Sequence, residues 1–75
     1  MTKRERVVAR ALELLRDRPA GFRYAELVSV LGKELPDIKV ATIRSSIWDL
    51  DKRIAESVYK PGPGLFRHTS FRVDS

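Results

Sequence analysis

A mainly α-helical fold carrying a small β-hairpin is predicted by three observations. Apolar residues recur at helical spacing in three separate stretches of the chain. After Ile54 the pattern changes to two short runs rich in aromatic and β-branched residues, Val58-Tyr59-Lys60 and Leu65-Phe66-Arg67. Between them stands Pro61-Gly62-Pro63-Gly64, which no helix tolerates and which suits the turn of a hairpin over about residues 57–68.

The first helix is expected over about residues 3–18. Thr2-Lys3-Arg4-Glu5 fits a capping box, and Val8, Ala11, Leu12 and Leu15 form a stripe flanked by Val7 and Leu14. Pro19 disfavours α geometry in Arg18, and Ala20-Gly21 continues the break. Phe22-Arg23 is too short to stand alone as a strand but can pair with the edge of the later hairpin. A second helix is expected over about residues 24–35, with Tyr24, Leu27, Val28, Leu31 and Leu35 on one side. Gly32 weakens its last turn and Pro36-Asp37 ends it.

The third helix, about residues 40–54, has the clearest stripe: Val40, Ile43, Ile47, Leu50 and Ile54. Trp48 lies beside this stripe and is expected to be buried where the helix meets the hairpin. The tail from Thr69 either extends the second strand through Phe71 and Val73 or frays.

Seventy-five residues allow one small domain, 1–75, and 43 % hydrophobic content favours a globular fold over disorder. No apolar run approaches the roughly 20 residues that span a bilayer, so no membrane is expected. The basic N-terminus lacks a signal-peptide core. With no cysteine, a reducing compartment is expected, the cytoplasm, with nucleoid association in a bacterial cell. Fifteen Lys and Arg against ten Asp and Glu give +5, which favours a polyanionic partner; a solubilising surface charge is the plain alternative.

Helix, short strand, helix, helix, hairpin is the order of a winged helix-turn-helix: a three-helix core, a short first strand and a two-stranded wing. In that fold the third helix lies in a DNA major groove and the wing touches the backbone. The third helix's outer face is read as Thr42, Ser45, Ser46, Asp49 and Arg53, with Lys39 just before its start. Its N-terminal half makes Lys39, Thr42, Arg44, Ser45 and Ser46 the candidate DNA-binding patch. Arg44 is the side chain best able to read guanine through two donors. Asp49 opposes deep insertion unless it pairs with Arg53.

On the wing, Lys60 and Arg67 bracket the turn and are expected to hold phosphates, with His68 near the tip and Arg72 farther out. Lys3, Arg4 and Arg6 cluster at a helix N-terminus, the unfavourable end for cations, which hints at an anionic partner. Ordinary solvation, edge protection and fraying are the respective alternatives for these three groups.

Thr42-Ile43-Arg44, Ile47-Trp48-Asp49-Leu50, Tyr59-Lys60-Pro61 and Gly64-Leu65-Phe66-Arg67 together resemble winged-helix modules of bacterial restriction and modification proteins and of regulators. They look broadly like the HARE-HTH group. The likeness covers about residues 22–68, and the first helix agrees in character only. It implies a double-stranded DNA-binding or DNA-adjacent domain, often fused to an effector, acting as a regulator or as the targeting module of a restriction or defence protein. Two other uses of the fold stay open. One is docking of a protein partner through the third helix or hairpin. The other is single-stranded nucleic acid or RNA stacking on Tyr59, Phe66 and Phe71, although Phe66 is expected to be buried.

Catalysis is not expected. His68 is the sole histidine and there are no thiols, so the usual zinc sites and Ser-His-Asp or Cys-His arrangements cannot be assembled. Asp49 and Asp51 lie two apart on a helix and face different ways. No Gly-rich phosphate loop precedes a helix, and no metal or cofactor is expected.

Overall fold

The computed structural model describes residues 2–72. It is a mixed α/β fold of four α-helices and one three-stranded antiparallel sheet, in an order compatible with a winged helix. Among the described residues no helix is long and apolar enough to cross a membrane.

Helix α1 (Lys3–Arg16) starts on the expected capping box. The Glu5 N–H donates to Thr2 Oγ1 at 3.1 Å, and the Thr2 N–H donates to Glu5 Oε1 at 3.4 Å. The helix ends at Arg16 rather than at residue 18, because Arg18 precedes Pro19 and Asp17 already serves as the cap. Its buried line is Val7, Ala11 and Leu15, one turn apart; Val8, Leu12 and Leu14 pack around that line only in part. Gly21 then turns the chain at φ +80°, and a Cβ there would run into the Phe66 carbonyl oxygen. Only glycine fits so close beneath the neighbouring strand.

Strand β1 (Phe22–Arg23) pairs with the hairpin as the sequence suggests: Phe22 lies opposite Phe66 and Arg23 opposite Leu65. The hairpin strands are β2 (Val58–Gly62) and β3 (Leu65–His68), and β3 runs between β1 and β2. Strand β2 extends into the Pro-Gly tip, which leaves Pro63-Gly64 as the turn, with Gly64 at φ +68°. The ladder is irregular between Tyr59 and Gly62, the segment that holds Pro61. A proline without an N–H is tolerated there because β2 is an edge strand. Beyond His68 the chain forms a 3-10 turn over Thr69–Phe71 instead of prolonging β3; Val73 lies outside the described residues.

Helix α2 (Tyr24–Glu34) buries Leu27 and Leu31. The expected single third helix is two pieces, α3 (Val40–Ile47) and α4 (Leu50–Arg53). Asp49, at φ −116° and ψ 33°, leaves the helical region and breaks the hydrogen-bond ladder. Its carbonyl accepts from both Lys52 and Arg53 N–H at 2.9 Å and starts a new turn. That turn ends where Ser57 and Val58 N–H bond the Ile54 carbonyl and the chain enters the wing. Ile43, Ile47 and Leu50 are fully buried among Leu15, Leu27, Leu31, Val58 and Phe66.

Two burial expectations fail. Val40 is 50 % exposed, and Ile38 in the preceding turn takes the core position instead. Trp48 is 72 % exposed. At about 100° per residue it shares a face with Arg44, four positions earlier, while Leu50, Val58 and Phe66 already fill the helix–wing junction.

Candidate nucleic-acid interface

The solvent face of α3 consists of Val40, Ala41, Arg44, Ser45 and Trp48, continued by Tyr24 at the start of α2. Trp48 stands edge-on to Tyr24, with ring centroids 6.2 Å apart and planes at 87°. Lys39 caps α3 from outside and is exposed. Of the expected patch, Lys39, Arg44 and Ser45 lie open on this side, and Thr42 is half-buried.

Ser46 does not belong to the patch. It is fully buried, on the core side between Ile43 and Ile47, and its hydroxyl donates to the Thr42 carbonyl at 2.6 Å. Ser45 Oγ also donates to that carbonyl, at 3.1 Å, so its proton is committed as well. Such back-bonding is the usual fate of serine inside a helix.

Lys60 extends from the wing towards the C-terminal end of α3. It lines a groove of about 350 Å³ with Tyr24, Trp48, Asp49, Asp51 and Lys52. Its ammonium lies 5.5 Å from the centroid of Phe66, which is buried as expected. Arg67 is not paired with Lys60 around the turn. Its Nε donates to the Pro19 carbonyl at 2.8 Å and its Nη2 to the Phe71 carbonyl at 3.2 Å. This guanidinium clasps the turn after α1 to the turn after β3.

The N-terminal cations divide. Lys3 lies close enough to Asp37, two residues before Lys39, for its charge to favour the carboxylate there. Arg4 instead lies beside Arg53 and Ile54, away from the α3 face. Arg6 is bound to Asp37 at 2.7 Å, and that hydrogen bond is the main cause holding the Asp37 carboxyl below its ordinary range.

Ion pairing is distributed unevenly. Arg6, Arg10, Arg18 and Arg53 pair with Asp37, Glu13 and Glu34, Glu26, and Asp49 respectively. Asp49 does pair with Arg53, the condition under which it would not oppose insertion, and that hydrogen bond keeps the Asp49 carboxyl below its usual range. Among the described residues Lys39, Arg44 and Lys60 form no ion pair, and neither do Lys3, Arg4, Arg16, Arg23, Lys33, Lys52, Arg67 and Arg72. Residues 38–48 contain no acid at all.

His68, expected near the tip, is buried instead. Its Nδ1 accepts from the Ser70 N–H at 3.1 Å, and Arg16 Nε lies 3.4 Å from its Nε2. Burial, and then the charge of Arg16, push its pKa below the ordinary histidine value. It has no part in a surface contact.

Sequence reasoning missed Val40, Ala41, Trp48 and Tyr24 as surface residues. The first three could have been found by turning the helical wheel about Arg44, since Val40 and Trp48 stand four positions to either side of it. Tyr24 carried no such signal, because it comes from a different helix. No known protein family, curated sequence or solved structure matches this chain.

Proposed function

We propose that this chain is a winged-helix module that binds double-stranded DNA, with α3 in the major groove and the wing against the backbone. One observation carries the reading. The cations left unpaired on the α3 side, Lys39 and Arg44, share that side with Lys60 of the wing, while the carboxylates of Glu13, Glu26, Glu34, Asp37 and Asp49 are engaged by arginines. Residues 38–48, which contain no acid and present a guanidinium, suit guanine O6 and N7, and a lysine on the hairpin suits a phosphate, although Asp49, held by Arg53, and Asp51 line the groove beside it. The resemblance of residues 22–68 to restriction-associated winged helices supports a regulator, or the targeting module of a restriction or defence protein in the cytoplasm.

The test is a titration with duplex DNA at several salt concentrations, following backbone amide signals. Shifts should concentrate on residues 39–48 and on the wing, and log affinity should fall linearly with log salt.

A second reading, docking of a protein partner on the same face, is favoured by the exposure of Trp48 and Val40. It predicts DNA association that is weak, insensitive to salt, and unaffected by replacing Arg44 or Lys60.

A further inference from the structure

We infer that α1 is an interface for a second copy of this chain, the two helices lying antiparallel about a twofold axis. The face concerned is one that the DNA-binding reading leaves unused. Val7, Ala11 and Leu15 turn α1 towards the core, where it packs on the inner side of α3. On another side of α1, Glu5, Ala9, Leu12 and Arg16 follow one another at intervals of four, three and four residues, the spacing of a helix–helix seam. Glu5 and Arg16 are exposed and form no ion pair among the described residues, while Ala9 and Leu12 are half-buried. Beside Glu5 and Ala9 runs a groove of about 500 Å³ whose apolar wall is Val8 and Ile54, with Arg4 and Arg53 also lining it.

The order acid, small, large, base complements itself when the helices run in opposite directions. Antiparallel pairing sets Glu5 against the partner's Arg16 and Ala9 against the partner's Leu12, and the twofold axis repeats both contacts. Parallel pairing in register sets acid against acid and base against base. A small residue facing a large one lets the helices approach to about 8–10 Å between axes. The partner's Leu12 then reaches the mouth of the groove beside Ala9. The same arrangement brings Arg4 level with the C-terminal end of the partner's α1, whose carbonyls attract a cation, and so accounts for a charge that its own helix dipole disfavours. Charge complementarity favours a second copy over a polyanion here, because Glu5 within the stripe and Glu13 beside it repel phosphates. Since α3 meets α1 with its inner side, the pairing leaves Arg44 and Trp48 uncovered.

Sedimentation equilibrium of the full chain without DNA, from micromolar to millimolar concentration, reads the association. The parent chain should show a monomer–dimer equilibrium. E5K, and separately R16E, should weaken it about tenfold, because each sets like charges against each other at both ends of the seam. The E5K/R16E double variant keeps the parent's net charge and reverses the sign of the pairing, so it should regain the parent's affinity. E5K also removes the capping contact to Thr2, so the fold of every variant is checked by its amide spectrum. Should one of them not fold, A9E decides: it puts a carboxylate against the partner's Leu12 from a position outside the core, and it should abolish the dimer. W48A should leave the dimer intact. A parent chain that stays monomeric throughout, a folded double variant no better than either single one, or a dimer that survives A9E or is lost in W48A overturns the inference. Each of these results leaves the DNA-binding reading standing.

Discussion

Arg67 on β3 donates to the carbonyl of Pro19, 48 positions earlier, at 2.8 Å. The contact joins the base of the wing to the turn that follows α1, and the Phe71 carbonyl completes the clasp. Arg67 and Lys60, which bracket the turn in a linear reading, therefore have different work. Arg67→Ala should destabilise the fold by about 1–3 kcal/mol through loss of charge-assisted hydrogen bonds. It should leave the salt slope of duplex binding unchanged. Lys60→Ala should do the reverse, with little effect on melting and a salt slope reduced by about one unit. Denaturant unfolding and binding at several salt concentrations, run on both variants, check the contrast.

Trp48 is the only tryptophan in the chain and is mostly solvent-exposed, so it is a built-in reporter for the α3 face. The free protein should show red-shifted emission that acrylamide quenches readily, and duplex DNA should protect it from the quencher. Trp48→Ala should cost less than about 1.5 kcal/mol, the most that the edge-on contact with Tyr24 contributes. Blue-shifted, protected emission in the free protein would contradict the exposed placement.

Ile47 has no exposed surface and sits in the centre of the core. Ile47→Ala should cost about 2–4 kcal/mol through lost transfer energy and a residual cavity. For a domain of this size that corresponds to a fall in Tm on the order of 10–25 °C. Ser46→Ala, although also buried, should cost far less, because it removes the hydroxyl together with its bond to Thr42 and leaves that carbonyl its helical partner.

His68 makes stability depend on pH. Its pKa in the folded protein lies below its unfolded value of about 6.5. Between the two values the unfolded chain binds more protons than the native one, so unfolding free energy rises with pH there. Stability should therefore be full above about pH 6.5 and fall as pH drops below it towards the folded pKa. His68→Gln should flatten that part of the profile in urea unfolding series. A native protein whose stability rises on acidification through this window would be inconsistent with the buried imidazole beside Arg16.

The parts of the fold legible in the sequence were those governed by local chemistry. The capping box at Thr2, the stop before Pro19 and the Ile43–Ile47–Leu50 core line each follow from nearby residues. So does the Pro-Gly hairpin. What was not legible depended on distant partners. The break at Asp49 arises where the chain must redirect from α3 into the wing, and the helical period runs through it without a mark. Trp48 looked like a core residue by composition, but Val58 and Phe66 had already taken the space it would fill. Ser46 looked like a surface donor because small hydroxyls are polar, yet its rotation about α3 places it between two isoleucines. The candidate site was thus half visible. Its charges, Lys39, Arg44 and Lys60, could be listed from the sequence, whereas its alkyl and aromatic surface required the helix orientation.

Pro61 on the outer strand has a consequence for the molecule in company. The free edge of β2 would otherwise present an unbroken row of N–H and C=O groups to any extended segment that drifts alongside. A missing donor and a ladder already out of step at that position deny such a segment its register. The outer edge of the hairpin can therefore stay uncovered without copies of the chain zipping together through their wings.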